Sequence, residues 1–271
     1  MNITRIHALY FSPTGGTEGV VRLVTETIAQ QLGLTPRFTN ITSPEKRQQD
    51  YRVDGDELVV IATPVYAGRV PNKLLPDLKG RLMGSGTPAV AISVFGNRSP
   101  DEAPRELALL LEENGFRLAG AAAFACRHAF SDRVGAGRPD EADQEEIRGF
   151  ARRVADKLAQ PGALPELELD RGEIGPYYIP LKTDGAPAKF LTAKPLTDWD
   201  KCVHCGLCVK LCPMGSIDPK TVETPGVCIK CQACVRRCPF HAKYFEDGEF
   251  LSHVAMLEEN YARRAENILL L

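Results

Sequence analysis

Eight of the nine cysteines fall into two copies of one pattern. Cys202, Cys205, Cys208 and Cys212 precede Pro213 and read C-x2-C-x2-C-x3-C-P; Cys228, Cys231, Cys234 and Cys238 precede Pro239 and repeat the pattern 26 residues later. Three thiolates spaced two residues apart wrap one corner of an iron–sulfur cubane. The fourth follows a short helical turn that points away, and the proline closes that turn by removing a donor and fixing φ. Structural zinc uses two separated pairs of ligands, and disulfides suit an oxidising compartment. Neither accounts for a duplicated three-plus-one ladder.

The ladder resembles the bacterial-type ferredoxins that carry two [4Fe–4S] clusters, in which each fourth cysteine ligates the other cluster. The resemblance implies one cluster on Cys202, Cys205, Cys208 and Cys238. It implies a second on Cys228, Cys231, Cys234 and Cys212. Val203, Leu207, Ile217, Val227, Ile229 and Phe240 are expected to bury the clusters. Trp199 either shields a cluster or joins the core.

A second chemistry-bearing segment is Ser12–Pro13–Thr14–Gly15–Gly16–Thr17, which follows an apolar run and opens a helix. Successive backbone N–H groups at a helix start receive an anion, glycines permit close approach, and three hydroxyls add donors. The loop lacks the G-K-[ST] of a nucleoside-triphosphate site. A plain Ser/Thr-capped helix start is the alternative.

Elements that would position these groups alternate over residues 1–160. Strands are predicted at Ile3–Phe11, Thr35–Asn40, Leu58–Ala62, Pro88–Val94 and Leu118–Phe124, and helices at Thr17–Leu32, Asn72–Lys79, Asp101–Asn114 and Glu141–Gln160. Apolar runs such as Leu58–Ala62 suit parallel strands buried on both faces. Five strands alternating with helices imply a doubly wound α/β sheet with ligands beyond the carboxyl ends of its strands.

With the loop placed after the first strand, this domain resembles the flavodoxins, whose FMN phosphate loop reads [ST]-x-T-G-x-T. Pro13 departs from a full set of N–H donors at a variable position. The resemblance implies a flavodoxin-like five-stranded parallel sheet binding FMN. Pro64, Val65, Tyr66, Ala67 and Gly68 would cover one face of the isoalloxazine, with Tyr66 stacking on it or merely anchoring its loop. Phe95, Gly96, Asn97 and Arg98 would meet the pyrimidine edge. Arg98 is open to two roles, stabilising reduced flavin or pairing with Asp101, and Phe95 to ring contact or core. Cys126 is expected as a buried small hydrophobe and His128 as a hydrogen-bonded loop residue.

Composition bounds the rest. The chain has 271 residues with a formal net charge of −2, which points to neither nucleic acid nor an anionic membrane. Residues 196–245 hold seven Lys/Arg against four Asp/Glu, a basic excess that offsets thiolate-bound clusters. The N-terminus lacks a signal-peptide pattern, no apolar run suits a membrane span, and eight thiolates favour a reducing compartment. A cytoplasmic protein is therefore expected, and the sequons at Asn2, Asn40 and Asn97 are read as chance matches. G-S-G-T-P-A at Gly84 precedes a strand instead of following one, so no nicotinamide site is expected.

The expected organisation is a flavodoxin-like domain (1–160), a linker packed on it through Tyr177, Tyr178 and Phe190 (161–195), a ferredoxin domain (196–245) and a C-terminal helical extension (246–271) with its helix near Ser252–Leu270. The whole resembles the fused flavodoxin–ferredoxin proteins common in anaerobes. It implies an electron carrier moving low-potential electrons between two [4Fe–4S] clusters, FMN and a redox partner protein, alone or as a homodimer. An oxidoreductase reducing a small acceptor such as a quinone or enone at FMN is the rival. A deep pocket over the flavin lined by Tyr66, Arg98 and His128 would favour the rival.

Overall fold

The computed structural model describes residues 3–271, so Asn2 lies outside it. Over the first domain, β1 (Arg5–Tyr10), α1 (Gly16–Leu32), β2 (Pro36–Asn40), α2 (Pro44–Arg47), β3 (Tyr51–Val53) and β4 (Glu57–Pro64) lead to α3 (Leu75–Arg81) and β5 (Leu82–Gly84). Then follow β6 (Thr87–Phe95), α4 (Ala103–Glu113), β7 (Phe116–Ala125) and α5 (Glu141–Ala159). The remainder contains β8 (Leu196–Thr197), α6 (Leu207–Leu211), α7 (Ala233–Arg236), β9 (Lys243–Tyr244), α8 (Gly248–Asn260) and β10 (Ile268–Leu270).

The main sheet has the order β10-β7-β6-β4-β1-β2. Its five parallel strands therefore run 2-1-3-4-5 in chain rank, the flavodoxin-like doubly wound order. Every residue of β6 is buried, as is the interior of β4, because helices cover both faces. Val20, Val24 and Ile28 of α1 and Phe150 and Val154 of α5 pack on one face. Leu78 of α3 and Leu107 and Leu111 of α4 pack on the other.

The sheet is wider than expected. A sixth strand, β10, pairs antiparallel with β7 through Ile268–Ala123, Leu269–Ala122 and Leu270–Ala121. The C-terminal segment is thus a helix shorter than Ser252–Leu270 followed by a strand that returns to the first domain. Ile268-Leu269-Leu270 has no partner pattern nearby in sequence, and only the open edge of β7 explains it. The small parallel pair β3–β5 was likewise absent from the sequence expectation.

Asn97 fixes that return. Its side chain is 1% exposed at φ 62°, donating from Nδ2 to Tyr261 O at 3.0 Å and Arg263 O at 2.7 Å. Its Oδ1 accepts from Ala265 N and from Arg138, whose guanidinium is itself paired with Asp143 at 2.6 Å. The linker is held by carbonyl contacts: Arg105 donates to Glu173 O, Tyr177 OH to Val70 O and Tyr178 N to Ala67 O. Arg236 donates to Ala129 O at 2.8 Å and Arg47 to Pro213 O at 2.9 Å, tying the cysteine-rich region to the first domain.

Candidate functional site

Each cysteine repeat is built from the same three left-handed backbone positions. His204, Gly206 and Gly215 have φ of 52°, 71° and 60°; their counterparts 26 residues on, Lys230, Gln232 and His241, have 54°, 64° and 52°. Only two of these six are glycine, so composition gave no warning of the geometry. In each repeat two of the left-handed residues precede the short helix, α6 or α7, and the third follows its last cysteine. Backbone N–H groups then donate to sulfur in both repeats, Ser216 to Cys212 at 3.3 Å and Ala242 to Cys238 at 3.4 Å.

The cysteines sort into two small cavities. Cys202, Cys205, Cys208 and Cys238 line one. Cys212, Cys228, Cys231 and Cys234 line the other. Among the described residues no trio of His, Cys, Asp or Glu converges on a single-ion site. The first cavity lies outermost: Cys205 is exposed, and Val203 and Phe240 on its rim are 57% and 44% exposed. Those two side chains form an open collar where burial was expected, and Val227, beside the other cysteine cavity, is likewise 54% exposed. Trp199 is 52% exposed and stacks on His204, a residue lining the first cavity, so it does not join the core. The second cavity is better enclosed: burial raises the Cys228 thiol and pushes Cys234 up to about 12. Metal binding at such thiols must release protons.

A third cavity, about 530 Å³ in volume, lies at the carboxyl ends of β1, β4, β6 and β7. That size is ordinary for an organic cofactor site. From the first loop it is lined by Pro13, Thr14, Gly16 and Thr17 at the start of α1, with Gly15 holding the helix entry at φ 96°. Pro64, Val65, Tyr66, Ala67 and Gly68 contribute the second wall. There Tyr66 and Arg69 exchange backbone hydrogen bonds across Ala67 and Gly68, both at positive φ. This tight turn presents the Tyr66 ring. Phe95, Gly96 and Arg98 line the third wall, and Cys126 and His128 the fourth.

Three expected residues do not reach this cavity. The Ser12 hydroxyl accepts from Glu18 N at 2.9 Å, capping α1 from within. Gly15 shapes the loop without lining the space, and Asn97 faces the C-terminal return. Arg98 takes up both a pair with Asp101 and a place over the Tyr178 ring, 3.9 Å from its centroid.

Histidine chemistry here is neutral. His128 Nδ1 accepts from Phe130 N, and burial pulls its pKa down to about 3, aided by His253, Arg98 and Arg236. His253 Nδ1 bonds Leu181 O at 2.8 Å and its pKa is also lowered, chiefly by burial. Cys126 is a buried thiol raised to about 12 by desolvation, with Asp143 adding to it. It behaves as a small apolar filler.

The far side of the cavity comes from outside the first domain. Tyr178, Phe190 and Leu191 of the linker and His253 and Leu257 of α8 close it. Tyr177, Tyr178 and Phe190 were expected to pack the linker on the first domain and do line this wall; nothing in the sequence marked His253. Cys228 and Cys231 also line this cavity, and burial followed by those two sulfurs raises the Tyr66 hydroxyl well above its ordinary pKa. One space is thus bordered by the loops after β1 and β4 and by two cysteines of the second ladder.

Family models agree with the cysteine geometry. Residues 195–218 and residues 225–244 each match a 4Fe-4S binding domain. The chain joins a domain of flavodoxin-like strand order to two segments that each match a 4Fe-4S binding domain. Among solved structures similar to the flavodoxin-like part is rubredoxin oxygen:oxidoreductase from the anaerobe Desulfovibrio gigas, with 19% identity over 59% of this chain and a TM-score of 0.39. The match spans 38% of that protein's length. A flavodoxin from the domain Archaea is 13% identical over 58% of this chain and all of its own, with a TM-score of 0.38. The apo form of the NADH:FMN oxidoreductase EMOB is 16% identical over 60% of this chain and 95% of its own, with a TM-score of 0.45. No curated protein matches the chain in sequence. Among the described residues no helix of this chain is long and apolar enough to cross a membrane.

Proposed function

We propose that this chain is an internally wired electron-transfer protein carrying two [4Fe–4S] clusters and FMN. The outer cluster is assigned to Cys202, Cys205, Cys208 and Cys238, and the inner to Cys228, Cys231, Cys234 and Cys212. When bound, the clusters exchange single electrons and FMN holds one or two. The observation that carries the reading is the cavity shared by Tyr66, the α1 loop and Cys228 and Cys231.

The residues fit these groups. Four sulfurs surround each small cavity, and backbone N–H groups reach Cys212 and Cys238. At the flavin end, Thr14, Gly16 and Thr17 place hydroxyls and N–H groups at the positive end of the 17-residue helix α1, suited to a phosphate. Tyr66 offers a flat ring for stacking, and Arg98 offers a cation beside Gly96. The outer ligands open on solvent through Cys205 and the Val203–Phe240 collar, an entry point for a redox partner protein. On this reading the roles are FMN binding for 1–160, a closing wall for 161–195, cluster binding for 196–245 and a locking tail for 246–271. A reducing, cytoplasmic setting suits the eight thiolates.

One observation favours a second reading, an oxidoreductase acting on a small acceptor. The cavity is lined by Tyr66, Arg98 and His128 together and is roofed by Tyr178, Phe190 and His253. A flavin in it would be closed to a protein-sized partner and open to a small planar molecule.

Anaerobically prepared protein tests the proposal by content. It predicts about eight irons and one FMN per chain; four irons or fewer, or failure to retain FMN, would sink it.

A further inference from the structure

Two lysines are buried in the ferredoxin domain without a carboxylate partner. Lys243 is 4% exposed and its Nζ donates to Thr197 Oγ1 and Val222 O, each at 2.6 Å. Lys230 is 8% exposed and its Nζ donates to Leu191 O and, at 3.1 Å, to Cys228 O. Among the described residues no carboxylate comes within ion-pair distance of either ammonium, although the basic surface residues Arg236 and Lys201 have theirs. Burying an unpaired cation is costly unless an anion shares its low-dielectric surroundings. Among the described residues the anions nearest to hand are the thiolate ligands and whatever they bind, with Asp247 a weaker influence on Lys230.

The two lysines are placed differently. Lys243 lines the outer cavity, and its charge acts on Cys208 of the outer set and Cys234 of the inner set. Lys230 lines the inner cavity and interacts with Cys228, which outweighs its interaction with Asp247. Its counterpart in the first repeat is His204, at the same left-handed φ but exposed and stacked on Trp199. Hydrogen bonds to sulfur do not break the symmetry, because Ser216–Cys212 and Ala242–Cys238 are equivalent. Lys230 does.

We infer that Lys230 biases the paired clusters so that the inner one has the higher reduction potential, directing electrons from the exposed ligand set toward the Tyr66 cavity, while Lys243 raises both. Each reduction adds one negative charge to a cluster, and a fixed cation against it favours the reduced form. Greater enclosure of the inner cluster acts in the opposite sense. The low dielectric that enlarges this penalty enlarges the pull of the buried ammonium as well. The inference rests on the two-cluster reading above.

The test is an anaerobic redox titration of the cluster-loaded full chain, followed by EPR, on wild type, K230M, K230R and K243M. C212S, which removes one inner ligand, identifies the inner wave by its loss. In wild type the inner wave should lie at the higher potential. K230M should lower the inner wave by at least a tenfold change in its reduced-to-oxidised ratio, about 59 mV for one electron, and leave the outer wave in place. K230R should restore the inner wave, and K243M should lower both. Coincident waves in wild type, or an inner wave below the outer, overturn the inference whatever the variants do; so does a K230M protein in which neither or both waves move. Wild-type protein with a single four-iron centre would instead overturn the two-cluster reading.

Discussion

Replacing Asn97 by alanine separates a structural clasp from a flavin contact. In the wild type its amide supplies the donors to Tyr261 O and Arg263 O and an acceptor for Ala265 N. Arg138 would keep Asp143 and Ala265 O and loses little. One buried and two part-buried backbone groups therefore lose their partners, each costing about 1 kcal/mol. Alanine at φ 62° adds roughly 1 kcal/mol, since asparagine tolerates the left-handed region better. The sum is about 4 kcal/mol, which for a chain of this size lowers Tm by about 10 °C. Asn97→Gly should recover the backbone part alone. Thermal unfolding gives the magnitude, and hydrogen exchange should show lost protection across residues 261–271 and at Ala121–Ala123. A variant with wild-type Tm and tail protection but weakened FMN binding would refute the reasoning, because it would put the side chain in the cofactor site.

The pH dependence follows from His128. Its folded pKa of about 3 lies below the ordinary 6.5, so the unfolded chain binds more protons between these values and stability falls as pH drops through that window. The loss from this group is about 1.4 kcal/mol per pH unit at its steepest, and H128Q should reduce the slope of the stability profile between pH 6 and 4 in denaturant titrations, leaving the part that comes from His7 and His253, whose pKa values burial also lowers. For the ligand assignment, C238S should remove the outer cluster and spare the inner, and C212S the reverse. EPR of each reduced variant checks this, and loss of the cluster nearest in sequence would contradict the crossed arrangement. G68A should cost about 2–3 kcal/mol, since Gly68 sits at φ 76° and a Cβ would overlap the Asp101 carboxylate. Urea denaturation measures it, and the displaced Asp101 should also weaken FMN binding by freeing Arg98.

Much of this architecture was legible because its signals are local. Uninterrupted apolar runs marked the parallel strands, and their alternation with helices implied a doubly wound sheet, while the strand order itself came from the structure. The cysteine spacing was informative for the same reason, since one turn of chain spans one face of a cluster. Asn97 was misplaced because its partners lie more than 160 residues away, and no periodicity encodes a tail folded back onto a sheet edge. Tyr178 and Phe190 were read as linker anchors but not as a cavity wall, and His253 was not marked at all, because that wall is assembled from linker and helix, elements with no motif. Lys230 and His204 look interchangeable in the repeat; only burial distinguishes them.

The central claim is that electrons pass through the inner ligand set into the Tyr66 cavity. Stopped-flow mixing of the cofactor-loaded protein with a reduced low-potential ferredoxin, watching the flavin absorbance, tests it most directly. Flavin bleaching in C212S that still binds FMN should be slowed at least tenfold relative to wild type. Equal rates would show that electrons reach the flavin without the inner cluster, and would contradict the account.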